Sequence, residues 1–78
     1  MDLDTLAATV RRKLADGTLP RAEGAKLYGG YGRDHACSAC EQTIQPAQVE
    51  YECNVGDRVY RFHSGCYAVW RAERERLP

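Results

Sequence analysis

The chain is short of the side chains that build a hydrophobic core. Leu, Ile, Val and Phe together supply 13 of its 78 residues, with a single Phe, a single Trp and a single Met. The 44% counted as hydrophobic is swollen by ten Ala and four Cys. So low a share of large apolar residues is usual in disordered chains, although those also carry high net charge. Net charge is missing too, because 11 basic and 11 acidic residues cancel. That balance disfavours a nonspecific nucleic-acid binder, which carries a basic surplus. Apolar runs are only a few residues long, against the ~20 needed to span a bilayer, so no membrane association is expected. Met1-Asp2-Leu3-Asp4 is acidic and leads into no apolar h-region, so no signal peptide is expected. The expected compartment is therefore the reducing cytoplasm, where clustered Cys mean metal or redox chemistry rather than disulfides. Chains of this size bury only about 60% of their unfolded surface and need a staple, whether disulfide, metal or partner.

What is present falls into segments. Leu3, Leu6, Ala7, Val10 and Leu14 share one face of a 3.6-residue period and predict an amphipathic helix within residues 1–17. Asp2 or Asp4 can cap its start, while Arg11, Arg12 and Lys13 suit the negative end of its dipole. Gly17 is a plausible terminator and Pro20 prevents resumption. The basic triplet reads as a solvated helix end before it reads as a nucleic-acid patch. Residues 18–36 hold no period. Gly24, Gly29, Gly30 and Gly32 make them a flexible connector, with Leu27, Tyr28 and Tyr31 available for packing. The run Gly29–Gly32 lacks the preceding strand, the Gly-Lys-Ser/Thr ending and the following helix of a phosphate loop.

Residues 49–62 predict a β-hairpin. Gly56-Asp57 suits a two-residue II′ turn. Counting outward pairs Val55 with Arg58, Cys53 with Tyr60 and Tyr51 with Phe62 on one face. Asn54 pairs with Val59, and Glu52 with Arg61, on the other. A second helix is predicted from Ser64 to Arg76, with Cys66, Val69, Trp70, Glu73 and Leu77 on one stripe. His63 or Ser64 can cap it. Arg71/Glu75 and Glu73/Arg76 have the spacing of ion pairs on its exposed side.

The chemistry lies in two short pairs, Cys37-Ser38-Ala39-Cys40 and His63-Ser64-Gly65-Cys66. A two-residue gap lets a tight turn, or the first turn of a helix, aim two side chains at one point. Zn²⁺ takes four such soft or borderline ligands in a tetrahedron. A Cys knuckle, then a hairpin, then a helix carrying the second pair is the order of a treble clef. The spacing Cys-x2-Cys-x22-His-x2-Cys resembles the first zinc site of a LIM domain, over roughly Cys37 to Trp70. The resemblance implies that Cys37, Cys40, His63 and Cys66 are the ligands of one structural zinc. It is not a complete LIM domain, because no second set of Cys follows Cys66. Glu41 also stands where such knuckles usually have Gly. Cys53 leaves open an all-Cys set with Cys37, Cys40 and Cys66, although a mid-strand Cys is usually a small buried hydrophobe. His35 is a third candidate, otherwise an exposed loop His.

The expectation is a small α+β zinc-stapled domain. Residues 1–17 form an N-terminal helix, 18–36 a Gly-rich connector and 37–78 the zinc-binding unit. A closed four-ligand site leaves no position for substrate, so no enzymatic activity is expected. The expected role is a monomeric intracellular module that binds a protein partner, with Leu3–Leu14 docking weakly at home and serving as the partner's surface. The first alternative is nucleic-acid recognition by Arg58, Arg61, Arg71 and Arg74 beside Tyr60 and Trp70. The second is a thiol redox switch at Cys37/Cys40.

Overall fold

The computed structural model describes residues 2–22, 24 and 26–77. Two helices and a three-stranded antiparallel sheet make a small α+β domain, in the order α1 (Leu3–Asp16), β1 (Lys26–Tyr31), β2 (Val49–Val55), β3 (Arg58–His63) and α2 (Ser64–Glu75). Among the described residues no helix is long and apolar enough to cross a membrane.

α1 starts where a carboxylate can satisfy its free amides. The Asp2 Oδ1 accepts from the Thr5 backbone N–H at 2.8 Å, which holds the Asp2 carboxyl below its usual range. It ends at Gly17, whose φ of 84° is left-handed backbone that glycine adopts without penalty. Its stripe is buried at home. Val10 and Leu14 are fully covered, Leu6 packs against the core, and only Leu3 remains largely exposed. This corrects the expectation of a weakly docked helix, because α1 lies along α2 as an integral part of the domain.

The hairpin forms in the expected register. Val55 pairs with Arg58, Cys53 with Tyr60 and Tyr51 with Phe62, and Gly56 takes a φ of 62° at the first central turn position. Glu52 and Arg61 meet at 3.6 Å across the strands. The sheet order is β1-β2-β3, with Tyr31 opposite Val49 and Leu27 opposite Cys53. β1 lies inside the segment expected to be a flexible connector. All six of its residues are exposed, so β2's hydrogen bonds hold it rather than burial. Gly32 is needed just after it, because a Cβ there would collide with the Gln45 and Ile44 carbonyl oxygens.

α2 packs against α1, β2 and β3. Its Trp70 stacks on Phe62 of β3 with centroids 5.1 Å apart, and its Tyr67 meets Tyr51 of β2 at 4.9 Å. The buried indole N–H donates to the Pro20 carbonyl at 3.0 Å, which ties down the chain after α1 and buries Leu19. Glu73, expected on the exposed side, is instead buried between the helices. There it receives Arg11 from α1 at 3.1 Å and Arg76 at 3.8 Å. Of the two ion pairs expected on α2, Arg76–Glu73 forms, whereas the Arg71 guanidinium lies 5.9 Å from the Tyr67 ring centroid.

Candidate metal centre

Four donor atoms converge where the knuckle, β3 and α2 meet. The Sγ atoms of Cys37, Cys40 and Cys66 and a ring nitrogen of His63 all lie within 4.8 Å of one another and could hold a metal ion. Two backbone devices place the first pair. The Cys37 N–H donates to the Gln42 carbonyl at 2.9 Å, and the Glu41 N–H donates to the Cys37 carbonyl at 2.9 Å, closing the turn. Glu41 completes it at a φ of 68°, a left-handed position that costs a non-glycine residue about 1–2 kcal/mol. The knuckle is then stitched to β3. The Ser38 N–H donates to the Arg61 carbonyl at 2.7 Å, and its hydroxyl oxygen accepts from the Arg61 N–H at 3.1 Å.

The second pair is placed by the junction of β3 and α2. His63 closes the strand and is the residue just before the helix, and Cys66 sits in the first helical turn. The His63 side chain makes no cap, which leaves the ring free for the cluster. Its Nδ1 stands 3.4 Å from the Cys40 Sγ and 3.8 Å from the Cys66 Sγ. Its Nε2 stands 3.3 Å from the Thr43 carbonyl oxygen, which can only accept. Beside a carbonyl oxygen Nε2 can act only as a donor, and Nδ1 is the ring atom turned towards the cluster. That is the outer-shell arrangement that orients metal-binding imidazoles.

Electrostatics show what the cluster lacks on its own. A hydrogen bond from the Cys66 thiol holds Cys37 down to about 4, as a thiolate. The same hydrogen bond, with burial and the neighbouring negative charge, pushes Cys66 up. Burial is the main reason Cys40 is pushed up. One negative charge is accommodated and further ones are resisted. A cation at the centre would remove that resistance.

The other candidates lie elsewhere. Cys53 is buried on the core face of β2 and is outside the four-residue cluster. His35 is a half-exposed loop residue with its Nδ1 3.5 Å from a Glu50 oxygen. Three supporting residues escape sequence reasoning. Ser38 is visible only as a knuckle residue, and Thr43 acts through its backbone. Lys13 is buried where α1 crosses the knuckle. Its Nζ donates to the Ser38 carbonyl at 3.0 Å and stands 3.4 Å from Glu41. A basic residue read as a solvated helix end is thus a tether. No protein-family model, curated protein or solved structure matches the chain.

Proposed function

We propose that Cys37, Cys40, His63 and Cys66 bind one Zn²⁺ as a structural staple, and that the domain is a treble-clef module that binds another protein in the cytoplasm. The observation that carries the metal assignment is the His63 ring, whose Nε2 lies against the Thr43 carbonyl while Nδ1 faces the Cys40 and Cys66 sulfurs, in a cluster completed by Cys37. Ideal Zn–S and Zn–N bonds give tetrahedron edges of about 3.5–3.8 Å, and the two His63-to-sulfur distances fall close to that range. Three thiolates and one imidazole suit zinc better than hard cations such as Mg²⁺ or Ca²⁺. The order knuckle, hairpin, helix supports the treble-clef reading, and the ligand spacing supports the LIM-like one.

Four donors fill zinc's coordination sphere and leave no place for a substrate, which supports a structural rather than a catalytic metal. Of the two aromatics the nucleic-acid reading would use, Trp70 is buried against Phe62, while Tyr60 is half-buried. The same stack carries Arg74, whose guanidinium lies 4.4 Å from the Trp70 ring centroid. Protein binding therefore has more support than nucleic-acid binding. Cobalt substitution tests the ligand set. The expected spectrum is that of a tetrahedral site with three sulfurs and one nitrogen. A four-sulfur spectrum that survives His63→Ala would replace His63 by Cys53.

A further inference from the structure

The sheet has two faces. One carries Tyr51, Cys53 and Phe62 against α2. On the other, a groove of about 410 Å³ crosses all three strands, lined by Tyr28, Gly30, His35, Glu50, Glu52 and Arg61 among others. Glu50 is 7% exposed, and its Oε1 accepts no hydrogen bond from any described residue; the His35 Nδ1 stands 3.5 Å away. Glu52 is already engaged with Arg61. Glu50 is thus a buried carboxylate with an unfilled acceptor, a condition proteins seldom leave unanswered.

Beside that groove runs an open sheet edge. Among the described residues β1 pairs with β2 alone, and its six residues are all exposed. The Gly32 N–H donates to the Gln48 carbonyl at 2.8 Å. Alternation from that bond turns the N–H and C=O groups of Leu27, Gly29 and Tyr31 away from β2, towards an added strand. A residue of that strand opposite Gly30 would project onto the groove face, in one lateral row with Gly30 and Glu50. Two strand spacings, roughly 9–10 Å, would separate its Cα from that of Glu50. Gly30 lies between them with no side chain, and a Cβ built there meets no atom within 4 Å. A long cationic side chain can therefore lie across Gly30, beside the Tyr28 ring, and reach the Glu50 Oε1, whose neighbour His35, at 3.5 Å, makes no hydrogen bond to it.

We propose that an extended peptide of a protein partner adds to β1 as a fourth strand and places a Lys or Arg across Gly30 onto Glu50. This names the partner chemistry of the protein-binding reading above and rests on it. Main-chain bonds to the edge supply affinity, and the basic side chain supplies specificity.

The test uses the full zinc-loaded chain and two blocked five-residue peptides of Thr and Val, one with a central Arg and one with norleucine in its place. Amide spectra should show saturable shifts at Leu27, Gly29 and Tyr31, with the Arg peptide binding about tenfold more tightly or better. Glu50→Gln should bring the Arg peptide down to the norleucine level. If that variant does not fold, Gly30→Val serves instead, because it fills open space and blocks the path to Glu50. Equal affinity for the two peptides, shifts confined to another surface, or self-association through β1 overturns the inference. Zinc-loaded, folded protein that binds neither peptide overturns it alone, whereas protein without stoichiometric zinc takes the preceding reading down as well.

Discussion

Cys53 and His63 occupy neighbouring strands of one hairpin, yet their surroundings assign them opposite roles. Cys53 lies on the core face among apolar residues, with Leu27 and Tyr60 as its cross-strand neighbours. His63, at the last position of β3, is turned towards the knuckle. Cys53→Ser should therefore keep the metal and cost about 1–3 kcal/mol for placing a hydroxyl on the core face, read by denaturant unfolding. Cys40→Ser should lose the metal and the fold together. Loss of zinc from the Cys53 variant would contradict the assignment. The protonation pattern gives a second residue-scale expectation. Cys37 is held down to about 4 and is already a thiolate at neutral pH, whereas Cys40 and Cys66 are pushed up and hold their protons. In the zinc-free chain, which is expected to unfold, all three thiols return to their ordinary range, so loading should release about three protons per ion at neutral pH and affinity should rise with pH. Calorimetry in buffers of different ionisation enthalpy counts them, and pH-independent affinity would contradict the picture.

At the level of elements, legibility followed how local the information was. The Gly56-Asp57 turn fixed the whole hairpin register, because a two-residue loop leaves no freedom in the pairing around it. Both helices announced themselves through their apolar stripes, and the cluster through its two short gaps. β1 did not, since Leu27-Tyr28-Gly29-Gly30-Tyr31 has neither alternation nor strand-forming residues at its glycines. It exists because the free edge of β2 offers it partners. The docking of α1 was equally hidden. The surface that receives Val10 and Leu14 is assembled from α2 and the segment carrying Leu19, distant parts of the sequence. Leu14→Ala should therefore destabilise the whole domain by about 2–5 kcal/mol, while Leu3→Ala should change stability by less than about 0.5 kcal/mol. Equal effects would mean that α1 is not docked. Gly32→Ala should cost about 1–3 kcal/mol, because the added carbon collides with backbone after β1. An unchanged unfolding midpoint would contradict that contact.

At the scale of the whole molecule, the fully buried large side chains among the described residues are few: Trp70, Phe62, Leu14, Leu19, Ile44 and Val10. They are spread over α1, the following loop, the knuckle segment, β3 and α2, and the four-residue cluster sits where three of those parts join. A core so thin cannot replace a metal whose binding supplies on the order of 10–16 kcal/mol in small zinc-dependent peptides. Because α1 packs on α2, and α2 carries Cys66, loss of the metal should spread beyond the cluster to the N-terminal helix. The most direct test is to record amide spectra of the purified protein before and after a strong zinc chelator, with the metal content measured in parallel. One zinc per chain at the start, and collapse of dispersion from α1 through α2 once it is removed, is the predicted result. Dispersed amides in protein shown to be metal-free would contradict the account.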